Sequence, residues 1–103
     1  MYDRIKPSEV EKLYRPNIID IREEGLFAVD HLEGAINIPA DKLLGNYREL
    51  LNVRKKYYLY CDYGIRSKKV CQELQKKGYS VSDIIDGYEG LKEFNNQKMP
   101  KFL

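Results

Sequence analysis

Cys61 and Arg66 are the two residues whose types and spacing point most directly to chemistry. A thiolate is a strong nucleophile, and a guanidinium that keeps its proton offers a planar fork for an oxyanion. Between them lie Asp62, Tyr63, Gly64 and Ile65, joining the end of an apolar run to a basic, helix-forming stretch. Backbone N–H groups at a helix start have no intrahelical partner and can converge on an anion, the thiolate itself included. A free cysteine titrates near about pH 8.5, and a helix N-terminus with nearby cations favours its ionised form. Gly64 permits a turn that a Cβ would obstruct, whereas Asp62 works against the thiolate by adding negative charge beside it.

Such a loop needs a strand to deliver it and a helix to receive it. YYLYC, residues 57–61, reads as the strand, and from Arg66 to Lys77 the pattern becomes helical, with Val70, Cys71 and Leu74 on one face and Gly78 as the stop. Further strands are expected at NIIDI (17–21), Ala35 to Ile38 and Val81 to Ile85, with a possible edge strand from Tyr2 to Ile5. Ser8 suits the N-cap of a short helix through Leu13, with Glu11 completing a capping box. Glu23 to Leu32 reads as helix or turn, Asp41 to Leu51 as one or two short helices, Asp86 to Gly90 as a turn, and Leu91 to Phe94 as the start of a last helix. Strands separated by helical crossovers predict an α/β domain over residues 1–103, with a mostly parallel five-stranded sheet and helices on both faces. Ligands in that architecture bind beyond the carboxyl ends of the strands, where Cys61 lies.

Composition narrows the function classes. Eighteen basic residues oppose 16 acidic ones, so the net charge of +2 asks for no polyanionic partner, and the lysine and arginine clusters read as solvated faces rather than a nucleic-acid site. The charged beginning, MYDRIKPSEV, has no apolar leader, and no run approaches the length of a membrane span, which predicts a cytoplasmic protein with no membrane partner. Two cysteines in such a chain are expected to be free thiols, and no Cys/His spacing of a metal site surrounds them. No exposed apolar stripe stands out, which leaves monomer and dimer equally open.

Three ordered stretches then carry a resemblance. Cys61-Asp62-Tyr63-Gly64-Ile65-Arg66 is similar to the active-site loop of the rhodanese-like sulfurtransferases. The stretch from Ile18 to Pro39, IIDIREEGLFAVDHLEGAINIP, resembles that family's Asp-x-Arg strand and its His-Ile-x-Gly-Ala-x-x-Ile-Pro segment, and DGYEGL, Asp86 to Leu91, resembles its Gly-Gly-aromatic-x-Ala-Trp turn. The resemblance implies a rhodanese-like fold and a two-step reaction. A sulfane-sulfur donor, thiosulfate or a small persulfide, gives its outer sulfur to Cys61, and a thiol, a protein acceptor or cyanide takes it away, without metal or cofactor. Residues 62–66 would bind substrate and persulfide, with Asp20, Arg22 and His31 as structural supports. Asp20 and Arg22 are expected to brace the end of their strand, Arg22 reaching Glu33 or the loop, and Tyr63 to line the entrance. The sequence departs from the family pattern at Asp62, where a basic residue is common, and at Asp30, Asp86 and Leu91.

Two other functions compete. Protein tyrosine phosphatases and arsenate reductases also set a cysteine and an arginine before a helix, but five residues separate theirs, and the four here make a tighter cradle. A non-catalytic rhodanese-like binding module would need no nucleophile. Cys71, on the apolar helix face, reads as a buried structural thiol.

Overall fold

The structure is a computed structural model that describes residues 3–98. Five strands, β1 (Asp3–Ile5), β2 (Asn17–Asp20), β3 (Ile36–Asn37), β4 (Lys56–Tyr60) and β5 (Ser80–Ile84), alternate with five helices. These are α1 (Pro7–Val10), α2 (Glu24–Val29), α3 (Ala40–Leu50), α4 (Ile65–Lys76) and α5 (Gly87–Lys98). The strands form one sheet in the order β1-β5-β4-β2-β3, and every pairing is parallel. The expected α/β architecture is therefore present, with a wholly rather than mostly parallel sheet.

Alternation along the strands divides the apolar residues between the two faces. Tyr57, Leu59 and Cys61 point to one face with Ile19, Ile21 and Val81, where Ala40 and Leu43 of α3 and Val70, Cys71 and Leu74 of α4 cover them. Tyr60 points to the other with Ile18 and Ile84, covered by Val10 of α1 and Tyr88 and Leu91 of α5. Leu43, Leu59, Leu74 and Ile84 are completely buried; each such side chain contributes roughly 1.5–3 kcal/mol by leaving water. Central strands covered on both faces explain why β2 and β4 read as near-continuous apolar runs.

Several element boundaries depart from the sequence-based expectation. Helix α1 starts earlier than Ser8: Lys6 is the N-cap, Pro7 fills the first helical position, and Glu9, not Glu11, folds back so that its Oε1 accepts from Lys6 N at 2.8 Å. That helix ends at Val10, so residues 11–13 lie outside it. Strand β3 keeps only Ile36 and Asn37 of the expected four residues. Helix α3 is a kinked pair, with Asn46 at φ −139° and ψ 25°, matching the choice between one helix and two. The turn expected at Asp86 to Gly90 closes within Asp86, and α5 starts at Gly87. Tyr2 lies outside the described residues. No helix of the described residues is long and apolar enough to cross a membrane.

Candidate active site

Strand β4 ends at Tyr60 and releases Cys61 at the carboxyl edge of the sheet, and the chain then turns into α4 within four residues. Gly64 is the N-cap of α4 in a left-handed conformation, φ +89°, and a Cβ there would lie 2.9 Å from the backbone nitrogen of Asp86. Only glycine takes up both conditions without displacing the neighbouring backbone. The turn swings two amides onto the thiol: Gly64 N–H donates to Cys61 Sγ at 3.2 Å and Ser67 N–H at 3.3 Å. The first amides of α4 have no carbonyl one turn back, so their N–H dipoles and the positive end of the helix face the sulfur.

The loop is held from behind by α5. Tyr88 N–H donates to the carbonyl of Cys61 at 2.8 Å and Glu89 N–H to that of Asp62 at 3.0 Å. Gly87 makes this approach possible, at φ +57°, since a Cβ on it would stand 2.4 Å from the Cys61 carbonyl oxygen. The preceding residue, Asp86, takes φ +64°, a left-handed position where the family pattern has glycine.

Cys61 is 5% exposed and forms the floor of an open cleft of about 200 Å³. Asp62, Tyr63, Ile65 and Arg66 line it from the loop, and Arg22, Glu23 and Leu26 from the opposite wall. Tyr63 and Ile65 are largely exposed at the rim, as expected for Tyr63. The Arg66 side chain is half-exposed, and its Nη1 lies 4.0 Å from Glu23 Oε1.

Asp20 and Arg22 form the expected brace, and both are buried. Arg22 Nη2 donates to Asp20 Oδ2 at 2.7 Å and to the Asp30 carbonyl at 2.7 Å, and its Nε lies 3.0 Å from both Asp20 oxygens. The guanidinium also lies over the rings of Tyr88, at 4.4 Å, and Tyr60, at 5.7 Å. Of the two possible partners it reaches the loop and not Glu33: Nη1 stands 3.7 Å from Asp62 Oδ1. Burial opposes the charge, but the Asp20 carboxylate, with smaller help from Tyr60 and Asp62, holds the guanidinium above its ordinary pKa. His31 stays away from the cleft, stacked on Phe27 at 3.7 Å with Nδ1 on the Phe27 carbonyl at 2.8 Å, which fits a turn support.

Cys71 is fully buried, and burial, then the field of Asp83, pushes its thiol far above the ordinary range. Both cysteines are free. Among the described residues no group of histidine, cysteine or carboxylate side chains is arranged to hold a metal ion.

Sequence reasoning missed two residues beside the sulfur. Ser67 Oγ lies 3.4 Å from Cys61 Sγ, and its hydroxyl makes a very short hydrogen bond to Asp83 Oδ1. Both residues are 0% exposed. The signals were present: Ser67 falls on the same helix face as Val70, Cys71 and Leu74, and Asp83 is the one charge in strand β5, followed by Ile84 and Ile85.

Comparison with known proteins gives the family and the fold. The family model described as Rhodanese-like domain matches residues 6–94. The uncharacterized protein YqhL of Bacillus subtilis is 38% identical over 64 residues, covering 62% of this chain and 50% of its own. A protein of Yarrowia lipolytica named adenylyltransferase and sulfurtransferase UBA4 is 30% identical over 94% of this chain, which spans only 25% of it. The chain thus spans a half and a quarter of the lengths of these two curated relatives. The crystal structure of a rhodanese-related protein from Thermoplasma volcanium superposes with a TM-score of 0.83 at 26% identity, covering 90% of this chain and 93% of the other.

Proposed function

The chain belongs to the rhodanese-like domain family, and on that premise we propose that it is a sulfurtransferase that carries a sulfane sulfur on Cys61. The observation that carries this reading is the convergence of the Gly64 and Ser67 amides on Sγ at the floor of an open cleft. In the first step the Cys61 thiolate attacks the outer sulfur of the donor. The bond between the donor's two sulfurs breaks, its electron pair leaves on the inner sulfur, and Cys61 becomes a persulfide whose charge sits on the terminal atom. That atom projects toward the cleft, where the remaining N–H groups of the loop and of the first turn of α4 receive it as an oxyanion hole receives an oxyanion. In the second step an acceptor nucleophile takes the terminal sulfur and the thiolate returns.

Arg66, half-exposed at the mouth, would hold the anionic end of a donor. The mouth carries Arg66 against Asp62 and Glu23, with the charge of Arg22 already engaged by Asp20, so it has no excess of positive charge. Such a mouth favours a donor of mixed charge, such as glutathione persulfide, over doubly charged thiosulfate.

The test is turnover by one purified sample of thiosulfate, mercaptopyruvate, glutathione persulfide and an aryl phosphate. Transfer from a sulfane donor to cyanide or a thiol, fastest with glutathione persulfide and absent in Cys61→Ser, is the expected result. Phosphate release would replace this reading with phosphatase chemistry, and no turnover of any substrate would replace it with a binding module.

A further inference from the structure

Behind the thiol runs a line of groups that ends on the opposite side of the sheet's last pairing. Cys61 Sγ stands 3.4 Å from Ser67 Oγ, whose hydroxyl donates to Asp83 Oδ1. The other carboxylate oxygen, Oδ2, accepts from Arg4 Nε at 2.8 Å and pairs with its Nη2 at 2.8 Å. Arg4 on β1 and Asp83 on β5 are register partners, so the arrangement is built into the sheet. Arg4 keeps 34% of its side chain exposed, while Ser67 and Asp83 are 0% exposed.

The hydroxyl has one proton to place. An ionised Asp83 can only accept, and Arg4 occupies Oδ2, so the Ser67 proton goes to Oδ1 and the Ser67 oxygen can only accept from the sulfur. In this state Cys61 is a thiol donating to Ser67. We propose that Asp83 is the group that holds the proton Cys61 gives up, reached through Ser67. The S–H proton moves to Ser67 Oγ as the Ser67 proton moves to Asp83 Oδ1. One S–H and one O–H bond break, two O–H bonds form, and no oxidation or reduction takes place. Negative charge leaves a fully buried carboxylate and arrives on a sulfur at the floor of the cleft, where the Gly64 N–H, the Ser67 N–H and now the Ser67 O–H all donate to it. Ser67 touches the reacting atom and is catalytic in this scheme, and Asp83 acts through it as a positioning and proton-holding residue. The inference rests on the sulfur-transfer reading for its purpose, though not for its test.

The other charged or titratable groups on this side are Arg4 of β1, Lys56 of β4 and Cys71 of α4, with Asp62, Arg22 and Arg66 across the cleft. A fixed negative charge at Asp83 would oppose the thiolate, so neutralising it would raise Cys61 reactivity at low pH. A proton acceptor has the opposite signature. With one proton shared by two groups, thiolate persists over a range of acid pH and gives a pH-independent shoulder.

The experiment is the rate of Cys61 alkylation by iodoacetamide from about pH 5 to 9, read by mass on the full chain, with circular dichroism to check each fold. The wild type is expected to show the shoulder. Asp83→Asn and Ser67→Ala should lose it, so that the rate falls about tenfold per pH unit through the acid range, and Ser67→Thr should restore it. A faster acid-side rate in Asp83→Asn, a profile superimposable on the wild type, or a wild type with no shoulder would overturn the proposal. If Asp83→Asn does not fold, the contrast of Ser67→Ala with Ser67→Thr decides. Alkylation is independent of sulfur loading: a shoulder in a protein that takes up no sulfur leaves the relay standing and removes the transferase, and the reverse result does the opposite.

Discussion

Asp62 is the residue at which this loop departs most from a simple anion trap, and its surroundings moderate its charge. Its side chain is 48% exposed and lies 3.7 Å from Arg22 Nη1, whose own charge is already engaged by Asp20. Solvent and Arg22 together leave a modest local repulsion rather than a barrier to anions, worth about 1 kcal/mol or less. Asp62→Arg is therefore expected to raise kcat/KM for thiosulfate up to about fivefold, with a smaller effect on glutathione persulfide. Steady-state rates for the two donors check this, and an unchanged or lower thiosulfate rate would mean that Asp62 does not govern donor choice. Cys61, Gly64 and Arg66 were legible from type and spacing because a strand end, a glycine and a helix start are local features. The pairing of Ser67 with Asp83 was not, because nothing local joins residues 16 apart; the parallel β4·β5 pairing and α4 between them bring the two together.

The loop from Cys61 to Gly64 is gripped by two helix starts, one supplying amides to the sulfur and the other to the carbonyls behind it. The second depends on Gly87, where φ is +57° and a Cβ would meet the Cys61 carbonyl oxygen at 2.4 Å and the Asp62 carbonyl carbon at 2.8 Å. No side-chain rotation relieves contacts between a Cβ and backbone atoms. Gly87→Ala is expected to destabilise the protein by about 2 kcal/mol or more and to loosen the loop. Denaturant unfolding together with hydrogen exchange at Tyr88 and Glu89, whose amides hold the loop carbonyls, measures both effects. A fully stable variant with unchanged exchange would contradict the packing described. The dipeptide Asp86-Gly87 reads as a turn in the sequence, and Asp86 does turn, at φ +64°. That α5 begins at once on Gly87 follows from the docking of its first turn onto the loop, a tertiary effect that local propensity does not carry. The strands were easier to find, since β2 and β4 are buried on both faces and show as near-continuous apolar runs, whereas the two-residue β3 is held mainly by its neighbour.

Across the whole molecule, one face of the sheet holds the sulfur and its buried polar line, and the other holds Tyr60 and Tyr88 against Arg22. Burial, then the Asp30 carboxylate, pushes Tyr88 up to about 12, and burial drives Tyr60 higher still. A phenol whose folded pKa lies above its unfolded value contributes stability that is complete below about pH 10 and fades as pH rises toward the folded value. The denaturation midpoint should accordingly hold to about pH 9 and fall above about pH 10, less steeply in Tyr88→Phe, which keeps the ring under Arg22. An equal fall in wild type and variant would remove Tyr88 from the explanation. These two faces meet at the carboxyl end of the sheet, where Arg22 on one side and Cys61 on the other share a cleft.

The central claim is that this cleft exists to carry one sulfur atom on Cys61, and the most direct measurement is the intact mass of the protein after incubation with glutathione persulfide. The account predicts a gain of a single sulfur, released by cyanide, retained in Cys71→Ser and absent from Cys61→Ser. Sulfur found on Cys71, or still bound when Cys61 is serine, would contradict it.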